Sequence, residues 1–238
     1  TYTGGKKYGN QVLAKELNGL KGVIAVSSQN KSYCVDNGIV PEDIIEVFPN
    51  GYRPERFYKR DKKEARKKFG LPEDKFIVGF CGSFDERKGI LRLQEAVNQL
   101  EEVYFVCAGK GKLFPDSSKC LLAKSVNNDE LAWFYSALDI FVLPTEHEGC
   151  CNAIVEAIAC GCPIISSDCS FNYDICDKTN SILVDPDNVE EIKNAIQKLY
   201  DNETLRAQMS KGSISKSKNL TLNNRAKNII EFMTLKTR

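Results

Sequence analysis

The chain has 238 residues, enough for one large domain or for one domain with an appendage. Lys and Arg number 33 against 32 Asp and Glu, so no broad basic face for nucleic acid is expected. No apolar run approaches the ~20 residues of a membrane span and no signal-peptide core is present, so the chain reads as soluble, cytoplasmic and cut from something longer.

The chain opens with a helical pattern that places Val12, Leu13, Leu17 and Leu20 on one side. GVIAVSS (22–28) reads as a first buried strand, and IIEVFPNGYRPERFY (44–58) as a turn and linker around Pro-Asn-Gly. Five more runs read as strands: FIVGFCG (76–82), VYFVCAG (103–109), DIFVLPT (139–145), CPIISSD (162–168) and NSILVD (180–185). All are continuous apolar stretches rich in Val, Ile and Phe, the pattern of strands covered on both faces. Helical patterns alternate with them: KGILRLQEAVNQL (88–100), NDELAWFYSAL (128–138), NAIVEAIACG (152–161) and VEEIKNAIQKLY (189–200). The alternation predicts βαβ units and an α/β fold with a doubly wound, Rossmann-like parallel sheet. After residue 201 the composition turns polar, through KGSISKSKNLT (211–221), before a last helical pattern NNRAKNIIEFMTLK.

Ten cysteines raise the question of a disulfide scaffold or a metal site. Cys81, Cys107, Cys160 and Cys162 lie inside or beside apolar runs and read as small hydrophobes in a reducing compartment. With no C-x-x-C and His147 as the sole histidine, no metal is expected.

In a doubly wound sheet, ligands bind beyond the carboxyl ends of the strands, near helix N-termini. Three motifs fall there. In GFCGSFDERKGI (79–90) a strand ends at Gly82 and a helix opens at Lys88-Gly89. Free N–H groups, the helix dipole and a lysine would attract a phosphate there, though an ordinary turn with a solvated Lys88 accounts for the residues equally well. In AGKGKLF (108–114) the glycines permit a tight turn and close ligand approach at Gly109. The dinucleotide fingerprint would need Gly at 114, where Phe stands, and the Walker lysine is absent; NAD and P-loop ATP chemistry both lose ground. In EHEGCCNAIVEA (146–157) Glu148 lies in a loop and Glu156 about one turn into a helix. Flanked by AIV and AIA, Glu156 is poorly explained as a solvated residue, and a buried carboxylate needs a hydrogen-bond donor. Both carboxylates can face one ligand across the helix N-terminus, and carboxylates accept paired hydroxyls such as those of a ribose or hexose. The N–H groups near Cys150, Cys151 and Asn152 would cap negative charge.

Together the three motifs resemble the C-terminal half of a retaining GT-B glycosyltransferase of family 4, the glycosyl transferases group 1. The likeness runs in order through IAVSSQNKSYCVDNGI, IIEVFPNGYRPERF, VGFCGSFDERKGI, CAGKGK, NNDELAWFYSALDIFVLPTEHEGCCNAIVEAIACGCPIISSD and SILVDPDNVEEIKNAI, about residues 22–210. Its most specific part is the E-x7-E spacing between Pro-Thr and the Glu-Ala helix. The resemblance implies three parts. Residues 1–52 would be a stub of the N-terminal acceptor domain plus the interdomain linker, 53–220 the nucleotide-sugar-binding domain, and 221–238 a helix crossing back. It implies that Glu156 holds the ribose of a nucleotide-sugar and Glu148 contacts the donor sugar. Lys88 would bind the diphosphate, making Lys88 and Glu148 the catalytic candidates. Gly82, Gly109, Gly149, Cys150, Cys151 and Asn152 would complete the donor site, with the base near the strand from Cys120 to Val126.

Several positions depart from the family pattern. Ser83 stands where an arginine is common, so turnover is expected to be slow or Arg87 to substitute. Cys150-Cys151 replaces an aromatic-glycine pair, and Asn180 a glycine. Beside a helix N-terminus both cysteines are expected to favour thiolate. The implied function is transfer of a hexosyl unit, with retention and without metal or cofactor, from a UDP- or GDP-sugar to a sugar, lipid or protein acceptor in polysaccharide biosynthesis. Two other readings stand beside it: a non-catalytic nucleotide-sugar-binding module and a GT-B sugar-nucleotide epimerase. The chain alone is expected to transfer little and to self-associate or need an N-terminal acceptor half, through which any peripheral membrane contact would be made.

Overall fold

The computed structural model describes residues 9–237; residues 1–8 of the expected opening segment, and residue 238, lie outside it. Helix α1 (Asn10–Leu17) precedes a small unit in which β1 (Val23–Ala25) and β2 (Ile45–Val47) pair in parallel around α2 (Ser28–Asp36). The Ser27 hydroxyl accepts the Asn30 N–H and so satisfies one of the free donors that open α2. Ala25, Cys34, Ile39, Val40 and Ile45 form this unit's own apolar cluster. The run GVIAVSS is therefore not a strand of the main sheet. Ile24 is 41% exposed, so the run is covered on one side only.

The main sheet has six parallel strands in the order β5-β4-β3-β6-β7-β8. They are β3 (Phe76–Phe84), β4 (Val103–Gly111), β5 (Cys120–Lys124), β6 (Ile140–Leu143), β7 (Ile164–Ser167) and β8 (Ser181–Val184). Its sixth member is β5, which the apolar runs do not announce, because at the sheet's edge its residues are only half-buried or exposed. The helices are α3 (Lys62–Phe69), α4 (Ile90–Asn98), α5 (Leu131–Ser136), α6 (Asn152–Ala159), α7 (Val189–Asp201), α8 (Glu203–Ser217) and α9 (Leu222–Thr237). Helix α7 shows why the periodicity is legible: Ile192, Ala195, Ile196 and Leu199 make one buried stripe. Helices α3 and α8 carry no such stripe. In α3 only Ala65 and Arg66 are buried, and in α8 the buried residues are Met209, Ser213 and Ser217. Ser213 donates to the Cys162 carbonyl at 2.6 Å, so hydroxyls hold what hydrophobes usually would.

Phe80, Phe84, Phe105, Phe134, Tyr135 and Phe141 are fully buried at the centre. Each such side chain contributes about 1.5–3 kcal/mol by leaving water. At the strands' amino ends Asp139 accepts from Arg66 and from the Ile77 N–H, both at 2.7 Å.

The chain enters and leaves this sheet domain side by side. The Tyr52 N–H donates to Leu220 and the Leu222 N–H to Tyr52, each at 2.9 Å. Gly51 makes room for the crossing, since a Cβ there would lie 2.9 Å from the Leu222 nitrogen. Beyond it α9 returns to the small unit, where Phe232 packs on Phe48 with ring centroids 5.6 Å apart and Lys236 donates to the Asp43 carbonyl. Ile230, Met233 and Leu235 on α9 face solvent. Among the described residues no helix is long and apolar enough to cross a membrane.

Candidate functional site

The strand order reverses between β3 and β6. From β3 the chain moves outward to β4 and β5, then returns to lay β6 against the other side of β3. The loops that follow β3 and β6 therefore diverge over a crevice at the strands' carboxyl ends, the place where such sheets bind ligands. Lys88 lies on the first loop and Glu148 on the second.

Asp85 fixes the first loop by accepting the Lys88 N–H at 3.0 Å and capping a short 3-10 turn, Glu86–Lys88. Ser83 donates its hydroxyl to Asp85, so it supports this turn. Gly82 sits opposite Gly109 in the β3–β4 ladder, where a Cβ on Gly109 would lie 1.9 Å from the Gly82 carbonyl oxygen. Only glycine fits there.

The second loop is tied to the first. Glu146 donates its N–H to the Arg87 carbonyl at 2.9 Å and receives Arg92 at 3.0 Å. Glu148 Oε1 accepts from Lys88 Nζ, from Arg87 Nη1 at 3.1 Å and from the Thr145 hydroxyl at 3.1 Å. Arg87 also donates to the His147 carbonyl at 2.7 Å. Lys88, Arg87 and Glu148 are thus one cluster.

Next along the loop, Gly149 faces Val26 and Asn30 of the small unit. Asn50, from the linker, donates its N–H to Cys150 Sγ at 3.3 Å and its amide to the Cys150 carbonyl at 3.0 Å and Asn152 Oδ1 at 2.8 Å. Helix α6 begins at Asn152 without a side-chain cap hydrogen bond; the Ile154 and Ala153 N–H groups turn toward the buried Cys151 sulfur, and the helix dipole favours an anion there.

Glu156 lies on α6, and its Oε2 accepts the Tyr135 hydroxyl at 2.9 Å. Burial raises its carboxyl above the usual 4.5, with Tyr135 and then Arg56 acting against that. A cavity of about 260 Å³ adjoins it, lined among others by Arg53, Arg56, Asn128 and Asn152. Two larger hollows, of about 760 and 460 Å³, lie at the opposite, amino end of the strands among ion-paired side chains. Cys120 and Val126 stand apart from the Lys88 cluster, on and just after the edge strand β5. Among the described residues no group of three or more His, Cys, Asp or Glu could hold a metal ion.

The expected thiolates at Cys150 and Cys151 do not form. Both side chains are buried, and desolvation pushes Cys150 up to about 11 and raises Cys151 as well. Loss of water outweighs the helix dipole here. Cys120 behaves oppositely: half-buried, it is lowered by a hydrogen bond from Cys107. Native alkylation at neutral pH should therefore mark Cys120 first and leave Cys150 and Cys151 slow, with all ten reacting on unfolding. Peptide mapping after timed iodoacetamide treatment checks this, and early labelling of Cys150 or Cys151 would refute it.

Three residues of this site escape a reading of the sequence. Tyr135 looks like one core aromatic among several in NDELAWFYSAL, Asn50 reads as turn, and Thr145 lies inside a strand-like run. Pro-Asn-Gly at residues 49–51 was the one visible signal.

Residues 61–216 match the family described as Glycosyl transferases group 1. The chain is 29% identical over 164 residues to the putative teichuronic acid biosynthesis glycosyltransferase TuaC of Bacillus subtilis, covering 67% of this chain and 42% of that protein. It is 29% identical over 215 residues to the UDP-Gal:alpha-D-GlcNAc-diphosphoundecaprenol alpha-1,3-galactosyltransferase of Escherichia coli, covering 82% of this chain and 54% of that protein. The chain thus spans about half the length of these relatives. The crystal structure of Anabaena HepE in complex with UDP shares the fold, with a TM-score of 0.86 at 17% identity over 96% of this chain and 69% of that one. On the extent of the family match, together with the doubly wound sheet that carries it, the chain belongs to the glycosyl transferases group 1 family.

Proposed function

We propose that this chain is the donor-binding part of a retaining GT-B glycosyltransferase of family 4, which moves a hexosyl unit from a nucleotide-sugar to a sugar or lipid acceptor. The observation that carries the reading is the meeting of Lys88, Arg87 and Glu148 at the strand-order reversal, beside the uncapped start of α6. In this reading the diphosphate lies between Lys88 and the α6 N–H groups. Negative charge that develops on the leaving diphosphate is met by fixed donors. Arg87 supplies the second cation that Ser83 does not, and no metal is invoked.

Glu148 receives a hydroxyl of the hexose, Glu156 the ribose hydroxyls, and the base lies toward Cys120 and Val126. UDP is favoured over GDP as the donor nucleotide, because one relative is named for UDP-galactose and one structural neighbour holds UDP. Polysaccharide biosynthesis is carried over to this chain from CapM of Staphylococcus aureus, a relative named for capsular polysaccharide biosynthesis. Ten cysteines kept as free thiols favour a reducing, cytoplasmic location.

Residues 53–220 are assigned to the donor domain, with 1–52 and 221–238 joining it to an acceptor half of the kind that longer relatives have room for. Calorimetry with UDP and GDP, followed by hydrolysis of UDP-glucose and GDP-mannose, tests the proposal. Saturable binding with slow hydrolysis, raised by adding an acceptor half, is the expected result. Failure of both nucleotides to bind at millimolar concentration would overturn it. Binding with no turnover under any condition would mean a non-catalytic module.

A further inference from the structure

We propose that the Lys88–Glu148 ion pair makes this site discriminate between an intact nucleotide-sugar and the bare nucleoside diphosphate left after transfer. The inference rests on the donor reading above and adds to it a reason for product release.

Three donors converge on one oxygen of Glu148: Lys88 Nζ, Arg87 Nη1 and the Thr145 hydroxyl. The side chains of Lys88 and Glu148 are only 12% and 15% exposed, so water and salt screen the pair weakly. Without ligand, Glu148 already neutralises one of the two cations, Lys88 and Arg87, that would hold a diphosphate. The Glu148 charge also stands beside the place a phosphate would take, and like charges at such range repel. The other oxygen, Oε2, has no such donor among the described residues.

The two ligands then meet different sites. An intact donor brings a hexose hydroxyl to Oε2 while its diphosphate draws on Lys88, so Glu148 gains a hydrogen bond as its share of the cation falls. A bare diphosphate brings only negative charge. Lys88 and Arg87 can touch both anions, but with Glu148 taking one of their two charges a diphosphate meets a net single positive charge. After transfer the sugar hydroxyl is gone, the pair closes again, and the diphosphate is expelled.

The ordinary role of a sugar-binding carboxylate predicts that removing it weakens the nucleotide-sugar and leaves the diphosphate alone. The ion pair predicts that the diphosphate binds more tightly. Calorimetry on the 238-residue chain separates them, with UDP and UDP-glucose, and GDP and GDP-mannose, as probes. Glu148→Gln should bind the diphosphate about tenfold more tightly than wild type, from removal of one poorly screened charge. Its preference for the nucleotide-sugar over the diphosphate should shrink accordingly. Glu148→Ala should tighten the diphosphate in the same sense, and Glu148→Asp, which keeps the charge, should not. Thermal melts identify the variants that are folded.

Unchanged or weaker diphosphate binding by folded Glu148→Gln and Glu148→Ala overturns the inference. It does so while leaving the donor reading intact, provided Glu156→Ala weakens nucleotide binding. If wild type binds no nucleotide, or Glu156→Ala binds as well as wild type, the donor reading itself fails and the inference falls with it.

Discussion

Glu156→Ala should weaken nucleotide binding by about 1.5–3 kcal/mol, the usual worth of hydrogen bonds to a charged group. Calorimetry reads this directly, and equal affinity of variant and wild type would remove Glu156 from the site. Stability should move differently in the two obvious variants. Alanine leaves the buried Tyr135 hydroxyl without its acceptor, at a cost of about 1–3 kcal/mol. Glutamine keeps an acceptor for Tyr135 and removes a charge that burial disfavours. The folded carboxyl titrates above 4.5, so the native state holds its proton more tightly than the unfolded chain. Its contribution is therefore fullest below the unfolded value and is lost as pH rises through the folded one. At neutral pH Glu156→Gln should melt at or above wild type and still bind nucleotide more weakly.

The same carboxyl gives the site a pH dependence. Ribose hydroxyls need the carboxylate, so affinity should fall as pH drops through the raised value. The groups that bear on Glu156 are Tyr135 from α5, Arg56 from the linker, Cys81 from β3 and Cys160 at the end of its own helix. Tyr135 acts to lower the carboxyl, so Tyr135→Phe should move the fall in affinity to higher pH. An unmoved profile would mean that the hydroxyl only fills space.

Lys88→Ala should cost UDP about 1.5–3 kcal/mol of binding, by loss of charge-assisted contacts to the diphosphate, and leave uridine binding as it was. The variant also leaves Glu148 with Arg87 and Thr145 alone, a poorer neutralisation of a carboxylate that is mostly buried. That residual charge should deepen the loss for UDP and not for the uncharged nucleoside. Parallel titrations with UDP and uridine decide the matter, and a common loss for both would make Lys88 structural.

What the sequence made legible follows from what each residue does in the core. Strand β6 is buried throughout and β3 and β4 over most of their length, so apart from the carboxyl ends at Ser83 and Lys110 their residues are apolar. Helix α8 buries serines, which carry no periodic signal, and α3 buries an arginine that Asp139 neutralises from 73 positions away. Glu156 stood out because a carboxylate amid Ala, Ile and Val is unusual, and Glu148 through its spacing from Glu156. Tyr135 did not, because it is one core aromatic among several, and Lys88 stood out as a phosphate ligand while its pairing with Glu148 emerges only when the chain folds. The cysteine pair misled for a related reason. Proximity to a helix N-terminus is written in the order of residues, but the depth of burial that outweighs it is not.

The crossing at Tyr52 and Thr221 has a further consequence. A domain whose two ends leave through one doorway touches the rest of its protein covalently at a single place. Such a piece can turn about that place without stretching either strand, as a door turns on paired hinges. It can also be exchanged whole: on the donor reading proposed above, another sheet cut at the same two doorposts would inherit the frame and bring its own ligand choice with it.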